Sequence, residues 1–482
     1  MSSLPHILLI LSDEHSGVAM AHTGDPNLLT PNLDRMAEEG VSFGRAYANC
    51  PVCTPSRGTI FSGRHAHCGP VQGFFDVFKA TAPSSATLLR DAGYHTAYFG
   101  KWHCGTVRDQ IPPEMRAMPP PGAKWLNRTP ELHRGGFQDW FGFEVNNAPF
   151  SGFYYQGHET NPRRMNGYQT DVLTDLAIDY LQNYDRDQPL FLVLSVEPPH
   201  FPLEAPEENL RFDPDTLQVR PNFSDTPENR EQLAIYYAMI ENLDQNVGRL
   251  LNTADNVQGF RENTLSIYTS DHGDFMGSHD IFQRKEYPHE ESVRIPAIFR
   301  WPEQIPARGR VDDPLWSLVD LLPTTLGLLN LPPAPHLQGW NAGPFLQGQS
   351  AEAPAEVLLE MQGNPRWSLD LLDWRGLVDQ RWKYAFFETG QELLFDLEND
   401  PFERHNLATE QPEIRASRKQ RLLQILAETR EPYFDVLIEH GVPPMAPTWD
   451  VSPQGADERV PCASKISPAW GNLVRPAPDA NP

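Results

Sequence analysis

The sequence predicts an α/β protein, a sheet covered by helices on both faces. Three observations carry this reading. Short apolar, β-rich runs recur at residues 7–11, 94–99, 191–196 and 265–269. Helical patterns lie among them at 32–39, 171–184 and 228–251. A polar cluster follows each apolar run, as happens where strands end at a binding crevice.

Residues 7–11 read as a buried strand. Thr30 before Pro31 is a helix start, with threonine as N-cap and proline at the first helical position, and Gly40 is the stop. The runs at 94–99, 191–196 and 265–269 are further strands, and 171–184 and 228–251 are helices. After about residue 355 the pattern changes. Residues 376–387 and 393–397 read as short strands of a meander, with Asn399-Asp400-Pro401 as a turn. Residues 412–429 read as a helix opened by Pro412. From Gly441 onward the chain is polar and proline-rich, interrupted by Trp449 and Trp470, and too poor in periodic apolar residues to form its own core. There is no internal repeat.

The polar clusters are Asp13-Glu14, Lys101-Trp102-His103, Pro198-Pro199-His200 and Ser270-Asp271-His272-Gly273. In open α/β sheets ligands bind outside the carboxyl ends of the strands, so these four can converge. Asp13, Glu14 and Asp271 would then repel one another unless a cation joined them. Hard oxygen ligands with one imidazole suit Ca²⁺, Mg²⁺ or Mn²⁺. Taken singly, Asp13-Glu14 is also an ordinary solvated loop and Asp271-His272-Gly273 an ordinary turn.

Composition narrows the partners. The chain has 482 residues, enough for one large core or two domains without disulfide staples. With 39 Lys+Arg against 64 Asp+Glu the net charge is −25, which argues against a nucleic-acid partner. A small anion would need its own pocket of cations. Five cysteines give no disulfide framework and suit a reducing compartment. The N-terminus runs into the apolar segment without a basic region or cleavage site, and no apolar stretch is long enough to span a membrane. The expectation is a cytoplasmic protein without membrane attachment.

The stretch Cys53-Thr54-Pro55-Ser56-Arg57 carries the most chemistry. With Cys50 it also forms a C-x-x-C, the pattern of a redox dithiol or half a zinc site. No second C-x-x-C accompanies it, and Cys68, Cys104 and Cys462 are scattered.

Cys53-x-Pro55-x-Arg57 resembles the sulfatase signature, and the resemblance extends along the chain. Asp13-Glu14 stands where that family has its first acidic pair. Thr30-Pro-Asn-Leu-Asp34 matches its T-P-N-L-D, and Gly100-Lys-Trp-His103 its G-K-W-H. Ser270-Asp-His-Gly273 matches the second metal motif, where many members have Asn instead of His272. Lys285, Glu290 and Arg294-Ile-Pro296 follow the K-x-x-x-x-E…R-V-P segment, with His289 in place of the usual tyrosine. Leu394–Pro401 looks like the family's C-terminal strand and turn, so the match runs to about residue 440.

The resemblance implies an alkaline-phosphatase-like sandwich. It would have a large mixed, mostly parallel central sheet covered by helices and a smaller C-terminal antiparallel sheet with a helix. A catalytic α/β domain at 1–355 and an α+β subdomain at 356–440 go with it, and composition leaves 441–482 as an extended proline-rich tail. The resemblance also implies a formylglycine made from Cys53 by a formylglycine-generating enzyme. The hydrate of that aldehyde would attack a small-molecule sulfate monoester and pass through a sulfated hemiacetal. One divalent metal, Ca²⁺ with Mn²⁺ or Mg²⁺ as alternatives, would be held by Asp13, Glu14, residue 53, Asp271 and His272. Arg57 would hold the hydrate, and Lys101 and Lys285 the sulfate oxygens. His200 would serve the leaving oxygen, and His103 would take the proton from the remaining hydroxyl. Taken singly, His200 reads as a loop histidine and Lys285 as a solvated charge, and their joint placement is what points to a site.

Other functions compete, among them that of choline-sulfatase-like members, although Val71-Gln72-Gly73-Phe74-Phe75 lacks the asparagine expected there. Phosphonate monoester and phosphodiester hydrolases of the same superfamily share the length and the Asp-His motif, but typically place Tyr and Thr where this chain has Lys101 and His103. A non-catalytic anion-binding homologue would lack some of the chemical groups, all of which are present. His15, His65, His67, His279 and His289 remain candidates for substrate contacts or supports behind the site. Phe74, Phe75, Phe78 and Trp102 fit either a leaving-group pocket or core. The tail from Gly441, with Trp449, Val460, Ile466, Trp470 and Leu473, reads as disordered or as an arm that builds a homo-oligomer, dimer or tetramer.

Overall fold

Alternate residues of the first strand, β1 (His6–Asp13), point to opposite sides, and both sides are apolar. Ile7, Leu9 and Leu11 enter one buried cluster, and Leu8 and Ile10 the other. A strand of this kind needs helices on both faces. A computed structural model of the protein describes residues 4–73, 76–105, 128–261, 263–281, 284–362 and 373–429. The chain forms two units, Met1–Leu422 and Leu423–Pro482. Within the second, the described residues 423–429 are helical.

In the first unit the strands after β1 are β2 (Val41–Phe43), β3 (Ala46–Tyr47), β4 (His95–Lys101), β5 (Asp139–Phe143), β6 (Phe153–Gln156) and β7 (Arg163–Arg164). They continue with β8 (Leu190–Pro199), β9 (Thr264–Ser270), β10 (Arg294–Ile295), β11 (Ala297–Arg300), β12 (Gly309–Val311) and β13 (Trp316–Ser317). Among the described residues ten strands form one sheet in the order β12-β2-β11-β9-β1-β8-β4-β5-β6-β7. Its centre, β9-β1-β8-β4-β5, is parallel throughout. On one side β11 runs antiparallel to β9, and on the other β6 antiparallel to β5. The large sheet is therefore mixed and mostly parallel, as expected.

Helices α1 (Pro31–Glu38), α2 (Cys53–Ser62), α3 (Ser85–Asp91), α4 (Gln169–Gln182) and α5 (Pro227–Asn256) cover it. Ile60 and Phe61 of α2 and Leu89 of α3 pack on the face of Leu9, while Leu33 of α1, Leu173 of α4 and Leu243 of α5 pack on the face of Leu8. Thr30 stands at the N-cap of α1, but its hydroxyl donates to Asp34 Oδ1 at 3.0 Å instead of capping the helix. The N–H groups of Asn32 and Leu33 donate instead to Asp244 of α5, at 3.1 and 2.8 Å. This cap comes from a residue remote in sequence, so the local pattern could not show it.

Three further helices are α6 (Glu290–Val293), α7 (Leu321–Leu328) and α8 (Gly343–Leu346). The smaller sheet is an antiparallel meander of β14 (Glu356–Met361), β15 (Trp374–Asp379), β16 (Trp382–Phe387) and β17 (Glu392–Asp396), followed by α9 (Pro412–Thr429). Its Val357, Leu359, Trp374 and Phe387 pack with Tyr47, Cys50, Val52 and Val293, so the segment leading into residue 53 rests on this sheet. Lys383 on β16 is buried between Glu290 and Glu403, at 2.7 and 2.8 Å. Among the described residues no helix is long and apolar enough to cross a membrane. The tail residues 441–482, with Cys462, lie outside the described residues.

Candidate active site

Strand order brings the polar clusters together. β9, β1, β8 and β4 are consecutive parallel neighbours, so their carboxyl ends lie along one edge. Asp13 ends β1 and Lys101 ends β4, while His200 follows β8 and Asp271 follows β9. Gly100 has φ +103°, and a Cβ there would stand 1.8 Å from the Ser195 carbonyl oxygen. Only glycine permits β4 to approach β8 this closely just before Lys101.

Residue 53 reaches the same edge from α2. Cys53 is the first residue of that helix, after an extended Val52, and all ten of its residues are buried. Pro55 fits in the first turn, where N–H groups have no acceptor inside the helix. Gly63 ends the helix at φ 65°, its N–H donating to Thr59 O. The positive end of the helix dipole thus lies at residue 53.

Asp13, Cys53, Asp271 and His272 each offer a ligand atom, and these atoms lie within 4.8 Å of one another. His272 Nε2 is 3.2 Å from Cys53 Sγ, 3.5 Å from Asp13 Oδ1 and 3.6 Å from Asp271 Oδ1. Its Nδ1 is 2.9 Å from Gly273 O, which can only accept, so the proton sits on Nδ1 and Nε2 turns a lone pair into the group.

Arg57 supports this arrangement from behind. Its Nε donates to Asp271 Oδ2 at 2.8 Å and its Nη2 to Asp13 Oδ2 at 3.3 Å. Its Nη1 donates to Lys101 O at 2.7 Å and Ser195 Oγ at 2.9 Å. Each carboxylate therefore gives one oxygen to the guanidinium and keeps the other toward residue 53. Burial pushes the Asp13 carboxyl up, but the Lys101 ammonium and the Arg57 guanidinium beside it outweigh burial and hold Asp13 well below the usual range. Two carboxylate oxygens, one imidazole lone pair and the side chain of residue 53 fit a divalent cation of the oxygen-preferring kind.

Lys285 occupies the other side of residue 53. Its Nζ lies 3.6 Å from Cys53 Sγ, 3.1 Å from His200 Nε2 and 2.6 Å from Glu14 Oε1. Lys101 Nζ lies 2.5 Å from Asp13 Oδ2. His200 Nδ1 donates to Phe201 O at 2.6 Å, so Nε2 accepts from Lys285. Burial, with Lys285 and Lys101, pushes His200 well below its ordinary value. Burial, with Lys101 and Arg57, does the same to His103, which has φ 55°. Both imidazoles are neutral. Burial opposes the charge of Lys285, but the Glu14 and Asp13 carboxylates outweigh it and raise the ammonium well above its ordinary value.

Glu14 is brought to this edge but not into the group of four. Its carboxylate turns to Lys285 and stands 3.7 Å from His200 Nε2. Burial pushes its carboxyl up to about 7, against the pull of Lys285. Of the other histidines, His15 is held by Tyr268 OH at 2.6 Å and Ala19 O at 2.9 Å. His67 pairs with Glu360 at 2.8 Å, with the His65 ring stacked on its own. The His279 and His289 rings meet at a tilt of 50° with centroids 4.5 Å apart, with Phe275 and Phe395 beside His289. Phe78 and Trp102 are core, while Phe74 and Phe75 lie outside the described residues. Sequence reasoning missed Ser195 and Glu197. A visible signal existed for Glu197, an acidic residue at the end of the fully buried strand β8.

A family model described as Sulfatase matches residues 5–331, and one described as N-sulphoglucosamine sulphohydrolase, C-terminal, matches residues 277–430. The chain belongs to the sulfatase family. It is an enzyme, a sulfuric ester hydrolase. It is 30% identical to the ulvan-active sulfatase of Formosa agariphila over 84% of this chain and 77% of that one. It is 28% identical to the endo-4-O-sulfatase of Bacteroides thetaiotaomicron over 89% of this chain and 93% of that one. The crystal structure of yidJ from Bacteroides fragilis, assigned as a sulfatase, superposes with TM-score 0.80 at 26% identity, over 91% of this chain and 98% of that one. The phosphonate monoester hydrolase of Agrobacterium radiobacter shares the fold, with TM-score 0.71 at 23% identity over 88% and 96% of the two chains.

Proposed function

We propose that this chain hydrolyses sulfate monoesters at residue 53, matured from Cys53 to formylglycine by a formylglycine-generating enzyme. The observation that carries the reading is the position of that side chain. It lies at the N-terminus of α2, among Asp13, Asp271 and His272 on one side and Lys285 on the other. A thiol suits this place poorly, because burial and Asp13 push it far above its ordinary value despite Lys285 and Lys101. A formylglycine supplies, as its hydrate, an oxygen nucleophile for sulfur. The divalent metal, Ca²⁺ with Mn²⁺ or Mg²⁺ as alternatives, supplies a positive charge that acidifies that hydroxyl and polarises the ester. Asp13, Asp271 and His272 would hold the metal, with Glu14 turning in from its place on Lys285.

The remaining steps belong to the chain's own side chains. Lys101 and Lys285 bind the sulfate oxygens and neutralise the charge that grows on them. The ammonium of Lys285 donates to His200 Nε2 beside residue 53, and this pair holds a proton for the leaving oxygen. His103, buried and neutral, accepts the proton that releases sulfate. Arg57 fixes both carboxylates and the carbonyl of Lys101.

We assign catalysis to residues 1–355, support to 356–440, and homo-oligomer contacts to the tail from Gly441, which shortening the chain there and light scattering would test. The relatives named for ulvan and for an endo-4-O position suggest sulfated saccharides as natural substrates, and an aryl sulfate is the practical assay. The test is mass spectrometry of the tryptic peptide holding residue 53, with kinetics of Cys53→Ala. We expect the aldehyde in the active protein and loss of turnover in a folded variant. Full activity of Cys53→Ala would refute the mechanism. A kcat/KM for phosphonate monoester or phosphodiester far above that for sulfate would move the substrate class to those esters.

A further inference from the structure

Glu197 is the second carboxylate beside the Lys101 ammonium, after Asp13, and it stands outside the group of residues around residue 53. It is 3% exposed, near the end of β8. Its Oε1 accepts from the Asn146 N–H at 2.8 Å, and its Oε2 from the Asn147 N–H at 3.1 Å and Gln169 Nε2 at 2.8 Å. Lys101 Nζ lies 3.9 Å from Oε1. All these partners are N–H donors or an ammonium, an arrangement that fits a carboxylate. The backbone of the same residue is equally engaged. Its N–H donates to Gln169 Oε1 at 2.9 Å, and its carbonyl accepts from the His200 N–H at 2.9 Å. One residue thus ties the strand end that carries His200 to the loop and helix that supply Asn146, Asn147 and Gln169.

We propose that Glu197 is a positioning residue for the reaction, a fixed anion that holds the Lys101 ammonium between itself and Asp13. The inference rests on the reading that Lys101 binds the sulfate. A lysine stem is long and flexible, and its ammonium is a point charge without directional preference. The ammonium sits on Asp13 Oδ2 at 2.5 Å with Glu197 Oε1 at 3.9 Å, so Asp13 holds it directly and Glu197 adds a weaker pull from a fixed point that eases its turn toward an incoming sulfate oxygen. With this second anion the ammonium stays placed for the substrate. Glu197 can do this because it cannot move. Two backbone N–H groups and the Gln169 amide fix its carboxylate, and Gln169 itself opens α4.

The test is a double-mutant cycle with an aryl sulfate, using the matured full-length enzyme and the variants Glu197→Gln, Lys101→Met and the double variant. Metal content, residue 53 modification and thermal midpoint are measured on each. Glu197→Gln keeps the shape and removes the charge. We expect it to lower kcat/KM about tenfold, the size of an ordinary coupling between neighbouring charged groups. We expect the same change to have no effect when Lys101 is already methionine. Should Glu197→Gln fail to fold, Gln169→Leu loosens the carboxylate without touching Lys101, and its loss of activity should vanish in the same background. An unimpaired Glu197→Gln, or an equal loss in both backgrounds while Lys101→Met is itself impaired, overturns the inference alone. A fully active Lys101→Met overturns the reading of Lys101 as a sulfate ligand, and this inference with it.

Discussion

Replacing Arg57 by lysine keeps the positive charge and removes the fork. The guanidinium meets four acceptors, Asp271 Oδ2 at 2.8 Å, Asp13 Oδ2 at 3.3 Å, Lys101 O at 2.7 Å and Ser195 Oγ at 2.9 Å. They are spread around a planar group, and one ammonium cannot reach the two carboxylates and the two neutral oxygens together. Lys101 O keeps donors from Ser195 Oγ at 2.9 Å and from the Tyr98 hydroxyl, so its loss is small. The cost falls on whichever carboxylate is left. A charge-assisted hydrogen bond contributes about 1.5–3 kcal/mol and a neutral one about 1, so Arg57→Lys should destabilise the fold by about 2.5–4 kcal/mol. Denaturant unfolding reads this directly, and metal content and kcat/KM are measured on the same samples. We expect reduced metal affinity as well, because the released carboxylate no longer turns a fixed oxygen toward residue 53. A loss below about 1 kcal/mol with unchanged kcat/KM would refute the claim that the fork, and not merely the charge, organises the site.

Removing the metal with a chelator should abolish turnover and lower the thermal midpoint, and Ca²⁺ at about 100 times its Kd should restore about 2.7 kcal/mol of stability. Asp271→Asn should weaken metal binding in calorimetric titration while leaving the secondary structure intact by circular dichroism. The pH dependence of stability should carry the signature of the buried His67–Glu360 pair. Burial lowers the imidazole, but Glu360 outweighs it and raises His67 from 6.5 to about 10, while His67 outweighs burial on the carboxylate and lowers Glu360 from 4.5 to about 2. The imidazole's contribution is complete below pH 6.5 and is lost as pH rises toward 10, and the carboxylate's is complete above pH 4.5 and is lost as pH falls toward 2. Glu360→Gln should therefore cost about 3–5 kcal/mol near pH 6, and the gap to the parent protein should close on the way to pH 10. A gap that stays constant from pH 6 to about 10 would show that the pair's charge contributes nothing.

Much of this site is legible in the linear sequence. Asp13, Lys101, His200 and Asp271 each follow an apolar run, because a parallel strand buried on both faces is continuous in sequence and its carboxyl end is where polar residues can begin. The start of α9 at Pro412 agrees with the reading of the sequence, since proline marks a helix start locally. The motif at Cys53–Arg57 is legible through its resemblance to the sulfatase signature, and its spacing places Arg57 one helical turn beyond residue 53 on α2.

What the tertiary structure decided is which of these residues meet. Strand order places β9, β1, β8 and β4 side by side, and no periodicity encodes that order, because it is set by packing between segments far apart in the chain. The same holds for Asp244 capping α1 from α5, for Glu14 turning to Lys285, and for Glu197 standing beside Lys101. Each of these depends on the direction of a buried side chain. That direction follows from the charges and donors the fold brings within reach, which the residue's immediate neighbours in sequence do not specify.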